Sequence, residues 1–208
     1  MKKKFSILPL ILLGCLVMAF QCDDDKQTLF GNNVQANLTA PADFSVGDTL
    51  WIRGQVSANV YDSELRDSVF DPSYEFSSQL SLSELVQVSP DRTNEIQISD
   101  ALDRFRIINR EGSSSAGRCS ASELRILTEL DQENNQYRYE IGLVPREAGE
   151  YILHFYSGTG IRNNDRNLDV LNAFNTGASN PSLTCRNCCS GFSLDVQATQ
   201  SDFLFSVD

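Results

Sequence analysis

The chain is expected to be all-β, an antiparallel β-sandwich, and three observations predict it. Between Thr49 and Tyr61, Leu50, Ile52, Val56, Ala58 and Val60 fall on alternate positions, the two-residue period of a strand with one buried face. Phenylalanine and tyrosine are plentiful, at 12 and 6, against 2 methionines, a balance that suits pleated surfaces. After residue 22 no long apolar run has helical spacing.

The first 25 residues follow a different logic. Lys2, Lys3 and Lys4 precede an uncharged, mostly apolar run from Phe5 to Phe20, and Cys22 stands directly before Asp23, Asp24 and Asp25. This is the layout of a secretory signal peptide. The run is shorter than the roughly 20 residues of a spanning helix, and Pro9 interrupts it.

The end of the run resembles the lipobox of bacterial lipoproteins, and the acids after the cysteine resemble lipoproteins of the Bacteroidota. The resemblance implies cleavage before Cys22, acylation of its thiol and a place in the outer membrane, with the lipid bilayer as partner and Asp23 to Asp25 similar to a surface-export mark. Gln21 and Ala19 depart from the stricter pattern, which has a small residue and a leucine there. Leu12-Leu13-Gly14-Cys15 fits that pattern better and makes Cys15 the runner-up, although cleavage there would leave Leu16 to Phe20 as an exposed apolar tail. Two or three acyl chains, at about 0.8 kcal/mol per buried methylene, hold a protein durably on a bilayer.

On this reading residues 1–21 are a lipoprotein signal peptide, 22–33 an acidic flexible tether and 34–208 one domain. Removing residues 1–21 takes away three lysines and no acid, leaving 14 basic residues against 28 acidic ones, a formal charge of −14. A surface of that sign repels phosphates, so no nucleic acid partner is expected. Cations, basic partners and neutral glycans stay open.

Taken in order, Val34, Ala36 and Leu38 predict a first short strand. Thr49 to Tyr61 is the clearest one, with Arg53, Gln55, Ser57 and Asn59 on its solvent face. Trp51 and Tyr61 lie on that polar side, where they either pack beneath neighbours or form a ligand platform together with Tyr137. Asp62 to Ser78 is rich in acids, and Glu64, Asp67, Asp71 and Glu75 read as a solvated connection rather than a calcium loop. Leu80, Leu82, Val86 and Val88 predict a strand, and so do Phe105 and Ile107. Residues 122–144 read as an antiparallel hairpin with its turn at Asp131 to Asn135. The connection 158–191 is long, with Leu168, Val170, Leu171 and Phe174 spaced for a short helix. Phe192 to Ala198 and Phe203 to Val207 close the fold.

Glu147-Ala148-Gly149-Glu150-Tyr151-Ile152-Leu153 resembles the opening of the sixth strand of immunoglobulin-like sandwiches. The resemblance implies that Tyr151 fixes a corner by bonding upstream backbone and that Leu153 occupies the core position. Leu153 stands where antibody domains carry a cysteine, so an inter-sheet disulfide of that type is not expected.

With Cys22 lipidated and Cys15 removed, Cys119, Cys185, Cys188 and Cys189 remain, an even set that predicts two disulfides in an exported chain. Cys119 is expected to bridge Cys188 or Cys189, with Cys185 taking the other. The Cys185-Arg186-Asn187-Cys188 spacing also permits a thiol-active enzyme, which needs a thiolate activated at a helix N-terminus. His154, the sole histidine, reads as packed or at an edge. No hydrolase elbow, phosphate loop or dinucleotide fingerprint occurs, so no cofactor and no metal are expected. The expected role is a membrane-anchored, non-catalytic binding or structural module, and the alternatives are an accessory glycan-binding lipoprotein of an outer-membrane uptake system and an exported thiol enzyme using Cys185 and Cys188.

Overall fold

In a computed structural model, residues 28–87, 96–117, 123–156, 158–163, 170, 182–185, 193–195 and 201–208 are described here. The expected signal peptide, Cys15, Cys22, Cys119, Cys188, Cys189 and the expected helix around Leu168 to Phe174, Val170 apart, lie outside them. The described residues form seventeen strands, numbered in chain order. The all-β expectation holds.

One sheet has six strands: β2 (Val34–Thr39), β3 (Leu50–Ser57), β8 (Phe105–Glu111), β11 (Glu129–Asp131), β12 (Gln136–Pro145) and β14 (Thr159–Ile161). Its spine runs β12-β3-β2-β14, with β8 and β11 both pairing β12. All neighbours are antiparallel except β14 and β2. In β3, Leu50, Ile52 and Val56 point inward and are almost fully buried, while Arg53, Gln55 and Ser57 are exposed.

The second sheet has eight strands. At its centre β6 (Ser77–Gln87) pairs β13 (Gly149–Phe155), which in turn pairs β17 (Asp202–Val207). β6 also pairs β7 (Ile96–Asp100) along its C-terminal half and β10 (Glu123–Leu127) along its N-terminal half. β9 (Ser113–Ala116) joins β10, β15 (Ser182–Cys185) joins β7, and β16 (Ser193–Asp195) joins β15. A third, small sheet holds β1 (Leu29–Phe30), β4 (Asn59–Asp62) and β5 (Asp67–Phe70).

The two large sheets share one core in a sandwich-like arrangement. Ala36, Ile52, Ile141 and Leu143 come from the first, and Leu80, Leu82, Leu124, Leu153 and Phe203 from the second. Each of the larger ones contributes about 1.5–3 kcal/mol on burial. Tyr151 and Phe205 stack at 5.7 Å between centroids, and the Phe105 ring meets the Tyr151 ring edge-on at 5.0 Å.

Four expectations need correction. The strand expected from Thr49 to Tyr61 is two strands: Ala58 donates the last in-register bond of the β3–β12 ladder to the Asn135 carbonyl, and the Ser57 hydroxyl then accepts the Asn59 amide. Ala58 and Val60 nevertheless stay buried, as their alternation requires. The hairpin expected over 122–144 shrinks to β11 and β12. The segment β10 belongs to the other sheet, and the chain crosses at Thr128, whose amide and hydroxyl both donate to the Phe76 carbonyl.

The remaining two concern the expected tether and the expected long connection. The tether expected through Asn33 is already folded from Leu29: β1 pairs β4, and the Gly31 amide donates to the Tyr74 hydroxyl. Within the connection 158–191, Thr159 and Ile161 alternate inward, and β14 extends the edge at β2 while β15 extends the edge at β7.

Tyr139 generates two predictions. It lies directly opposite Gly54 in the β12–β3 ladder, and a Cβ at residue 54 would strike its ring. Gly54→Ala should lower stability by about 1–3 kcal/mol in urea melts, and a smaller residue at position 139 should remove most of that loss in a double-mutant cycle.

Among the described residues the buried Tyr139 hydroxyl has no hydrogen-bond partner, while the Ser78 hydroxyl pairs with that of Thr159 at 2.9 Å. Burial pushes the phenol up to about 12 from 10.0. The folded state thus keeps a proton that the unfolded chain releases, so this group's stabilising contribution is complete below pH 10 and is lost as pH rises toward 12. Tyr139→Phe should flatten that alkaline decline and raise stability at neutral pH by about 1 kcal/mol, since no unpaired hydroxyl is then buried; a loss on substitution would contradict the assignment.

Candidate functional site: a polar cleft on the six-stranded sheet

Strand pairing on the solvent face of the six-stranded sheet builds two cross-strand rows. One runs Gln35, Gln55, Arg138 and the other Asn37, Arg53, Glu140, Glu111, each member directly opposite the next. Together with Arg162 they line a cleft of about 310 Å³. Three arginines against two glutamates make the lining locally positive on an acidic chain.

The charges hold each other in place. Glu140 Oε1 accepts from Arg53 Nε at 3.0 Å and from Arg110 Nη1 at 3.3 Å. Arg138 reaches Asp131 at 3.1 Å and Glu111 at 3.5 Å. The Asn134 side-chain amide, aided by Arg138, holds the Asp131 carboxyl below its usual range. Half-exposed pairs of this kind contribute about 0–1 kcal/mol each, so their main effect is to fix orientation.

Arg162 is different, because it forms no ion pair among the described residues. Its backbone amide donates to the Ala36 carbonyl, and the next residue, Asn163, clamps the backbone of Leu38 with both ends of its side-chain amide. The backbone at Arg162 is thereby anchored at the sheet edge.

The aromatic residues singled out from sequence do not share a face. Trp51 lies beside the cleft with its ring over Gly142, and the Arg110 guanidinium covers it at 3.7 Å from the centroid. Tyr137 faces the core and donates to the Pro72 carbonyl at 2.8 Å. Tyr61 is exposed, on the small sheet. A common platform from these three is thereby corrected: Tyr137 is an inward position of β12, and the break after Ser57 carries Tyr61 into another sheet.

Tyr151 is buried and its hydroxyl donates to the Glu147 carbonyl at 3.1 Å, while Leu153 lies fully in the core. Of the four cysteines expected in the mature domain, only Cys185 is among the described residues, in β15 beside β7. His154 Nδ1 lies 2.7 Å from Asp202 Oδ1, its ring edge-on to Tyr156. In the acidic connection, Asp62 accepts the amides of Glu64 and Leu65, and Asp71 accepts both donors of Ser73. Those bonds hold the Asp71 carboxyl below its usual range. Among the described residues no three His, Cys, Asp or Glu side chains are grouped to hold a metal.

Gln35, Asn37, Arg138, Glu140 and Arg162 were not singled out from sequence. The alternation of Tyr137, Tyr139 and Ile141 implies that Arg138 and Glu140 face outward, but only the pairing with β3 shows that they meet Arg53 and Gln55. No family model matches the chain, and neither a curated protein nor a solved structure matches it significantly.

Trp51 is the sole tryptophan, so its fluorescence reports on this face. Arg110→Ala should uncover the ring and raise its quenching by acrylamide about twofold with little loss of stability. Unchanged quenching would show that the guanidinium does not shield it in solution.

Proposed function

We propose that this chain is a lipid-anchored envelope protein whose immunoglobulin-like sandwich binds an anionic saccharide, without catalysis, in the cleft that Arg162 borders. Strand order supports the immunoglobulin-like part of the reading. The run β2-β3-β12-β8 follows the A-B-E-D order of such domains, and β6-β13-β17 follows C-F-G. Tyr151, at the start of the strand equivalent to F, makes the corner hydrogen bond that the resemblance implies. Relative to that plan, β4 and β5 are an insertion between B and C, β9 to β11 one between D and E, and β14 to β16 one between F and G.

The observation that carries the ligand class is the Arg162 guanidinium, without an ion pair among the described residues, beside a row of side-chain amides and fixed arginines. Arginine forks bind carboxylates and sulfates bidentately, and amides bind sugar hydroxyls on either side of such a group. Lipidation at Cys22 is supported by the sequence layout and is tested separately by the mass of the mature N-terminus. For the thiol-enzyme alternative, Cys185 ends β15, and Cys188 lies outside the described residues.

Titrating the mature protein with uronic-acid oligosaccharides and with neutral ones of equal length, read by Trp51 fluorescence, tests the ligand class. Uronate chains should bind about tenfold more tightly, Arg162→Ala should erase most of that preference, and about 0.5 M salt should weaken it. Equal affinity for both sets would overturn the anionic assignment.

A further inference from the structure

The small sheet presents an apolar surface that the cleft does not use. Phe30 is directly opposite Tyr61, and Phe70 is diagonal to Tyr61 through its pairing with Asn59, so all three point to the same face. They are 49 %, 46 % and 48 % exposed. Leu65, at the tip of the β4–β5 hairpin, is 67 % exposed, held out by a turn in which Asp62 accepts two amides and Arg66 takes a left-handed φ of 55°. The opposite face of the same sheet already packs on the core through Leu29, Val60 and Val69. Three half-exposed aromatic side chains on one small face exceed what scattered surface residues account for.

We infer that this face seats in the zwitterionic headgroup layer of the bilayer that holds the acylated Cys22. The inference rests on the lipid-anchor reading. Covalent reach argues for the bilayer over any distant partner. Phe30 is eight residues from Cys22, at most about 28 Å fully extended and about 15 Å as a flexible coil. The patch therefore cannot move far from the lipid surface. Aromatic rings with a polar end, such as Tyr61, favour that interfacial zone.

Charge selects the lipid. Asp62, Glu64, Asp67 and Asp71 flank the patch, against Arg66, so anionic headgroups would repel it. Contact is apolar and local, and it adds a second attachment to one supplied by acyl chains.

Hydroxyl-radical footprinting of the acylated mature protein in phosphatidylcholine vesicles tests this, with the unacylated mature chain in buffer as reference. Oxidation of Phe30, Tyr61, Leu65 and Phe70 should fall roughly fivefold in vesicles, while the exposed Val46 and Leu127 stay unchanged. Leu65→Glu, at an exposed tip, should abolish the protection of the other three. Replacing about a third of the lipid with phosphatidylglycerol should reduce it at low salt and not at high salt. An acylated chain whose patch oxidises as fast in vesicles as in buffer overturns the seating and leaves the anchor standing. A mature mass without acyl groups overturns the anchor itself. Protection already present in buffer, in a chain that sediments as a dimer, assigns the face to a second copy and overturns the bilayer assignment.

Discussion

The antiparallel ladder between β3 and β12 sets the geometry on which both faces of the six-stranded sheet depend. Eight residue pairs run without a break from Gln136 opposite Ser57 to Leu143 opposite Leu50. On the core side the register is keyed by Tyr139 lying over Gly54, since only a residue without a side chain leaves room for that ring. A slip of β3 by one residue would carry Arg53 toward the core and Ile52 into water, and a slip of β12 would do the same to Glu140 and Ile141, each apolar loss costing about 1.5–3 kcal/mol. The cleft is the outward consequence of the same constraint, because the pairing that seats Tyr139 also aligns Arg53 with Glu140 and Gln55 with Arg138.

What sequence made legible follows from how local each signal is. The faces of β3 are readable because alternation needs no partner, and Leu50, Ile52, Val56, Ala58 and Val60 are all buried as that pattern requires. The split after Ser57 is less readable, since it comes from one hydroxyl accepting one amide. The division of 122–144 between two sheets was not readable at all. Leu124, Ile126, Tyr137 and Tyr139 alternate as two hairpin arms would, and only the pairing of β10 with β6 and of β11 with β12 shows the chain changing layers. The candidate cleft was illegible for the same reason: its rows are built across β2, β3, β12 and β8, and Arg162 reaches it through a parallel pairing separated by more than a hundred residues.

Charge is distributed against the composition. A chain with 28 acids and 17 basic residues gathers Arg53, Arg110, Arg138 and Arg162 around one concave surface. The ion pairs there do little for stability at their exposure, so their arrangement is better understood as positioning. Glu140 pins two guanidinium groups at once, and Arg110 is then placed to cover Trp51. Each pinned side chain has already lost the rotamer freedom that binding would otherwise cost, about 0.5–1.5 kcal/mol apiece.

The proposed bilayer seat and the proposed saccharide cleft place opposite demands on one chain, and the break after Ser57 separates them. Had the strand continued straight to Tyr61, the period of two would have put Tyr61 on the same surface as Trp51, Arg53 and Gln55. Seating an apolar ring in headgroups would then press the cationic rows against the lipid. The Ser57 hydroxyl and the Ala58 bend instead send β4 into the small sheet, where Tyr61 meets Phe30 rather than the arginines. A single bond from the Asn59 amide to the Ser57 hydroxyl thus divides the outward side of one continuous alternating segment into a polar surface and an apolar one.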